Sequence, residues 1–187
     1  MKKSVKILMI IGIIIVVLAA AFMITTKILI DHNNKPAGTE EETLPAAGNS
    51  GKALVVYQPS KGTTITKNVA IQIAKGINSK GYEVTLSYPG KHLSTDISQY
   101  SVIVFGSPVY ASRTSTVLKD YIKSIPDFTG KKVVLFTTGS MDDSKQLDEI
   151  ASLLKNSVNP TKAQFKSNDK ENEKKAYDIG MKTVEGK

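Results

Sequence analysis

The chain has 187 residues, 41% of them hydrophobic, which suits one domain with an accessory segment and excludes a fibrous or wholly disordered protein. It has no cysteine, which excludes a disulfide framework, a thiolate nucleophile, a lipoprotein anchor and any Cys-based zinc or iron–sulfur site. The formal net charge of +8 raises the question of nucleic acid, but the excess is spread along the chain. Residues 52–187 hold nineteen lysines and a single arginine, Arg113, with no aromatic-interleaved basic stripe, so a solvated basic surface is expected and no nucleic-acid partner. The two histidines, His32 and His92, lie far apart and no close-spaced ligand set occurs, so no metal site is expected.

From Ile7 to Ile24 the sequence is apolar and uncharged, long enough to cross the hydrocarbon core as a helix. Lys2, Lys3 and Lys6 precede it, and Lys27 and Lys35 follow among acidic residues, so the charge bias favours an N-terminus in the cytoplasm. The expectation is a single-pass cell-membrane protein with its domain on the extracytoplasmic side. Ala19-Ala20-Ala21 is a small-residue run of the kind signal peptidases cut, but Phe22-Met23-Ile24 continues the apolar stretch beyond it, which favours an uncleaved anchor over residues 1–30. Residues 31–51 are rich in Gly, Pro, Asn and acids without an apolar period, and read as a flexible acidic linker. The folded domain is then residues 52–187.

Ala53 to Tyr57 is an apolar run typical of a parallel strand buried on both faces. Val69, Ala70, Ile73, Ala74 and Ile77 predict a helix over 66–80 that Gly81 stops. Strands follow at Tyr82 to Tyr88 and, after a short connection, at Val102 to Phe105. Val117, Leu118, Tyr121, Ile122 and Ile125 stripe a helix ending before Pro126, and Val133 to Phe136 is a fourth strand. Leu147, Ile150, Ala151 and Leu154 line a third helix, Ala163 to Phe165 forms a short fifth strand, and Ala176, Tyr177, Met181 and Val184 fit a last helix. Such alternation implies an α/β doubly wound parallel sheet, whose ligands bind beyond the carboxyl ends of its strands.

Three loops lie at those ends. Ser60-Lys61-Gly62-Thr63-Thr64-Ile65-Thr66 leads hydroxyls and a glycine into a helix start, where unpaired N–H groups and the positive dipole end suit a phosphate. It is not a Walker A loop, because Lys61 precedes the glycine and no G-K-[ST] occurs; simple N-capping would need only one of its four hydroxyls. Gly106-Ser107-Pro108-Val109-Tyr110-Ala111-Ser112 places one aromatic, Tyr110, where it can stack on a flat ring. Thr137-Thr138-Gly139-Ser140 is small and polar, and lets a ring edge approach the backbone. The three together describe a pocket for a phosphorylated planar ligand.

Through Val55-Val56-Tyr57 with the 60–66 loop and Val69-Ala70, through Gly106 to Tyr110, and through Phe136 to Gly139, the sequence resembles the flavodoxin family. Within it the chain looks most like the branch of flavodoxin-fold oxidoreductases that includes menaquinone-dependent protoporphyrinogen oxidase. The resemblance implies a five-stranded sheet of order 2-1-3-4-5 and FMN as cofactor. It implies that the phosphate lies on Ser60, Lys61, Gly62, Thr63, Thr64 and Thr66. The isoalloxazine ring would lie against Ser107, Pro108, Val109, Tyr110 and Ala111 on one side and Thr138, Gly139 and Ser140 on the other. No side chain is expected to act as a catalytic acid, base or nucleophile, since the flavin carries the chemistry. The family's phosphate pattern, T/S-x-T-G-x-T, is met only with Thr64 at the glycine position or with one residue inserted, and Ser140 to Asp143 offers no second aromatic. Two functions follow. One is a membrane-anchored FMN protein passing electrons to a quinone or a redox protein. The other is a binding module of the same fold that has lost tight FMN binding.

Overall fold

The computed structural model of the chain describes residues 2–156 and 159–185. A long helix, α1 (Lys2–Asn33), comes first, followed by β1 (Glu41–Leu44), β2 (Gly51–Tyr57), α2 (Ile65–Asn78), β3 (Tyr82–Ser87) and β4 (Val102–Pro108). Then come α3 (Thr116–Ser124), β5 (Lys132–Gly139), α4 (Ser144–Ala151), β6 (Thr161–Lys166) and α5 (Asn172–Glu185). The sheet runs β1-β3-β2-β4-β5-β6, and its five strands from β3 to β6 are parallel, in the order the resemblance implies.

Alternation along the central strands sorts their side chains into two cores. Ala53, Val55, Tyr57, Val102, Val104, Val134 and Phe136 face α2 and α5. Leu54, Val56, Ile103, Phe105, Val133 and Leu135 face Leu118, Ile122 and Ile150 of α3 and α4. Burial on both faces is why these strands read as unbroken apolar runs. On the first face α2 and α5 cross in very close contact: a Cβ placed on Gly180 would meet the Ile73 carbonyl oxygen at 2.2 Å, and one on Gly76 the Tyr177 carbonyl oxygen at 2.2 Å.

Two features differ from the sequence reading, the strand β1 and the length of α1, while the connection from β3 to β4 is without a helix, as read. The segment expected as a flexible linker carries β1, paired antiparallel to β3 from Glu41↔Ser87 to Leu44↔Val84. Its sequence, Glu-Glu-Thr-Leu, has no apolar alternation to announce it, and a short charged strand is what protects a sheet edge. The connection from β3 to β4 crosses over β2 without a helix, as a loop whose Leu93 and Ile97 are buried in the second core and do the covering a helix would do. Finally, α1 continues past the apolar stretch to Asn33, and Pro36 lies just beyond its end.

That continuation joins the helix to the sheet. Asn33 is buried; its carbonyl accepts from the Ser115 hydroxyl (2.6 Å) and its amide donates to the Pro108 carbonyl (3.4 Å). The Asn34 side-chain oxygen accepts from the Thr116 N–H (3.0 Å), and the Lys35 carbonyl accepts from the Gln58 amide (3.1 Å). Ser115 is also the N-cap of α3, accepting from the Leu118 N–H at 3.3 Å. The end of α1 therefore rests on the carboxyl ends of β2 and β4.

Candidate functional site

The loops after β2, β4 and β5 converge at one edge of the sheet. Thr66, in the first turn of α2, is fully buried, and its hydroxyl bonds both to the Ser60 hydroxyl and to the Thr138 hydroxyl (2.6 Å), tying the first loop to the third. Tyr110 reaches the first loop from the second: its hydroxyl accepts from the Lys61 N–H (2.8 Å) and faces the Lys61 carbonyl at 3.4 Å. The Val109 N–H donates to the Thr138 carbonyl (2.9 Å), closing the second loop on the third.

The start of α2 has the character of an anion site. Thr64 is its N-cap residue, yet its side chain caps no N–H. Gly62 holds φ at +77°, a left-handed conformation that glycine adopts freely, and an added Cβ there would meet open space. Thr64 itself has φ of −101°, so the position aligned with the family's glycine demands none. Thr63 and Thr64 line a cleft of about 420 Å³ together with Asn68, Ser167, Lys170 and Asn172, and with two carboxylates, Asp169, paired with Lys175, and Glu173, which accepts from Asn68 and Gln72. Among these, the Asn172 side-chain oxygen is buried without a hydrogen-bond partner.

The second loop is a tight hairpin in which Tyr110 and Arg113 exchange both backbone hydrogen bonds, at 3.0 and 3.1 Å. Ala111 (φ +48°) and Ser112 (φ +58°) are both left-handed, the pattern of a type I′ turn, built here from two residues that carry a Cβ and so hold backbone strain. Ser107 is buried and works inward: its hydroxyl donates to the Pro108 carbonyl (2.8 Å) and accepts from the Ser115 N–H (2.9 Å), bracing the loop. Pro108, at the end of β4, accepts from Asn33. In the third loop Gly139 is buried and accepts from the Ser167 N–H (2.9 Å), while Ser140 is exposed.

Four residues of this edge escaped the sequence reading: Asn33, Gln58, Ser115 and Asp143. Asp143 lies over Gly139, where a Cβ would stand 2.7 Å from its carboxylate, and its Oδ2 is buried with no hydrogen-bond partner. Burial pushes its pKa above the ordinary 3.8, with nearby Asp142 adding and the Thr137 hydroxyl and Gln164 opposing. A carboxyl with a raised folded pKa holds its proton in the native state while the unfolded chain has lost its own. Stability therefore falls as pH rises from about 3.8 through the folded pKa. Asp143→Asn is expected to raise the urea midpoint at pH 7, with the gain vanishing near pH 3; an equal gain at both pH values counts against this account.

Residues 54–175 match the flavodoxin domain family. Among solved structures, a flavodoxin from the domain Archaea shares 20% identity at a TM-score of 0.58, covering 72% of this chain and 96% of its own. Oxidised Flavodoxin 2 from Bacillus cereus shares 20% at 0.57, covering 72% and 98%. The rubredoxin oxygen:oxidoreductase of Desulfovibrio gigas shares 16% at 0.59, covering 71% of this chain but 35% of its own length. No curated protein matches the sequence. With the strand order, the three converging loops and the matched span agreeing, the chain belongs to the flavodoxin domain family.

Proposed function

We propose that the domain binds FMN across the three loops and serves as a membrane-tethered electron carrier or flavin-dependent oxidoreductase. The observation that carries this reading is the uncapped start of α2 beside Gly62, linked through Thr66 to Thr138 and through Lys61 to Tyr110. These residues fit the group: free helix-start N–H groups and the hydroxyls of Ser60, Thr63 and Thr64 for the phosphate, with the buried Thr66 hydroxyl bracing Ser60 from behind and Lys61 adding positive charge. Tyr110 and Ala111 would flank the ring on one side, and Thr138 to Ser140 would meet its edge. The flavin, when bound, supplies the electron chemistry; the protein sets its position and the polarity around it. Supporting the tether, α1 is long and apolar enough to cross a membrane, with its apolar side chains exposed. The charge bias around it supports a domain outside the cytoplasm.

A second reading, the fold kept as a binding module without flavin, is favoured by one contact. The Lys61 N–H, a donor the phosphate loop would offer, is bonded to the Tyr110 hydroxyl.

Full-length chain in detergent micelles, incubated with FMN and desalted, is expected to retain the flavin absorbance bands and to quench flavin fluorescence. Colourless protein at saturating FMN would overturn the first reading and leave the second. In the same assay Thr66→Val leaves the Ser60 and Thr138 hydroxyls without their shared partner. A loss of about 1–3 kcal/mol is expected, weakening FMN binding by roughly 5- to 150-fold. Unchanged affinity would remove the hydroxyl chain from the site.

A further inference from the structure

A helix that ended in a flexible linker would let the domain tumble, but α1 ends in a joint. Residues 7–26 carry no charge, and as a helix these twenty residues rise about 30 Å, the thickness of the hydrocarbon core. Asn33 stands six residues beyond Lys27, a further rise of about 9 Å, against a headgroup layer of roughly 5–8 Å on each side. Asn33, Asn34 and Lys35 are each bonded to the carboxyl-end edge of the sheet, so that edge begins where the headgroups end.

Two further observations point the same way. Arg113, the one arginine of the chain, sits on the hairpin after β4 and lines a cleft of about 330 Å³ with Phe22, Met23, Lys27, Ile30 and Asp31 of α1. The hairpin therefore lies beside turns of the helix that begin within the uncharged stretch, where a long cationic side chain lays its stem on apolar surface and turns its head to lipid phosphate. Met141, 76% exposed, is the one large apolar side chain outside α1 that stands exposed among the described residues. It belongs to the neighbouring loop after β5, and α4, which follows that loop, is tied to the hairpin by the Gln146 amide donating to the Ser112 carbonyl (3.1 Å).

We propose that the carboxyl-end edge of the sheet is a membrane-facing surface, with Arg113 in the phosphate layer and Met141 in the interfacial zone, so that the loops of the candidate site open toward the bilayer. The inference rests on α1 remaining attached and spanning, and is independent of whether flavin binds.

Because the chain has no cysteine, single cysteines report position cleanly. The full-length protein, reconstituted in phosphatidylcholine–phosphatidylglycerol vesicles, is labelled with an environment-sensitive fluorophore at Met141→Cys, at Ser98→Cys in the exposed loop before β4, and at Val17→Cys in α1. Quenching by lipids spin-labelled at the headgroup or shallow in the chain is expected to be at least threefold greater at position 141 than at 98, with position 17 quenched by deeply labelled lipid. Equal quenching at 141 and 98 with position 17 quenched overturns the orientation and leaves the anchor standing. An unquenched position 17 overturns both, and FMN retention by the same samples reports separately on the flavin reading.

Discussion

Phe136→Ala is expected to cost about 3–5 kcal/mol, the usual range for emptying a fully buried phenylalanine site. The ring is completely shielded in the core between β5 and the two helices of that face, with its edge toward Phe165 at a centroid distance of 6.0 Å. Its other neighbour is Gly106 on β4, directly opposite in the parallel register, where a Cβ would come within 2.0 Å of the ring. Gly106 is thus the hole that the ring fills. Gly106→Ala alone is expected to destabilise by about 1–3 kcal/mol through overpacking, although alanine ordinarily improves a strand. In the Phe136→Ala background the added methyl enters vacated space, so its cost falls to near zero or reverses. Urea unfolding of the four proteins measures the coupling, and additive costs would show that the ring and the glycine are not partners.

Gly180→Ala is the second large effect. The methyl would strike the Ile73 carbonyl oxygen, a backbone atom that no rotamer change can move, so α5 must shift away from α2. A loss of about 1–3 kcal/mol is expected, against less than about 0.5 kcal/mol for Lys182→Ala on the exposed side of the same helix. The clash separates the two helices, and since Thr64 and Thr66 begin α2, whatever share of the shift α2 takes also moves the hydroxyl loop, so FMN retention is expected to fall with stability. Gly76→Ala, facing the Tyr177 carbonyl at the same crossing, is expected to behave alike. Wild-type stability in either glycine variant would show that the helices have slack there.

The legible parts of the fold were those in which local pattern and tertiary burial agree. Val55, Ile103 and Val134 lie in runs that only a doubly covered strand tolerates, and Ile73 and Ile77 recur at helical spacing because one face of α2 is buried. The strand β1 was hidden because its pairing with β3 is made by backbone groups, which leave no mark on Glu41 or Glu42. The site was legible as three loops of the right composition at the right strand ends. How they meet was not: the bond from Thr66 to Thr138 spans 72 residues, and nothing in the small polar loop after β5 names its partner. Asn33 and Gln58 read as ordinary linker and strand-end residues, since their importance comes from what folds against them. Asp143 entered the sequence reading only as the end of a loop without a second aromatic, and its burial is a tertiary fact.

With α1 spanning a bilayer as proposed, the joint at Asn33 would also govern encounters. A domain on a slack tether searches a hemisphere around its anchor, whereas one whose helix runs straight into the sheet has no radius of action of its own. Once such a helix is in a bilayer, collisions happen by drift in the plane, and a partner reacts only if its own reactive group stands at the matching height above the lipid. Altitude then works as a filter on partners, set by the number of helical residues between Lys27 and Asn33.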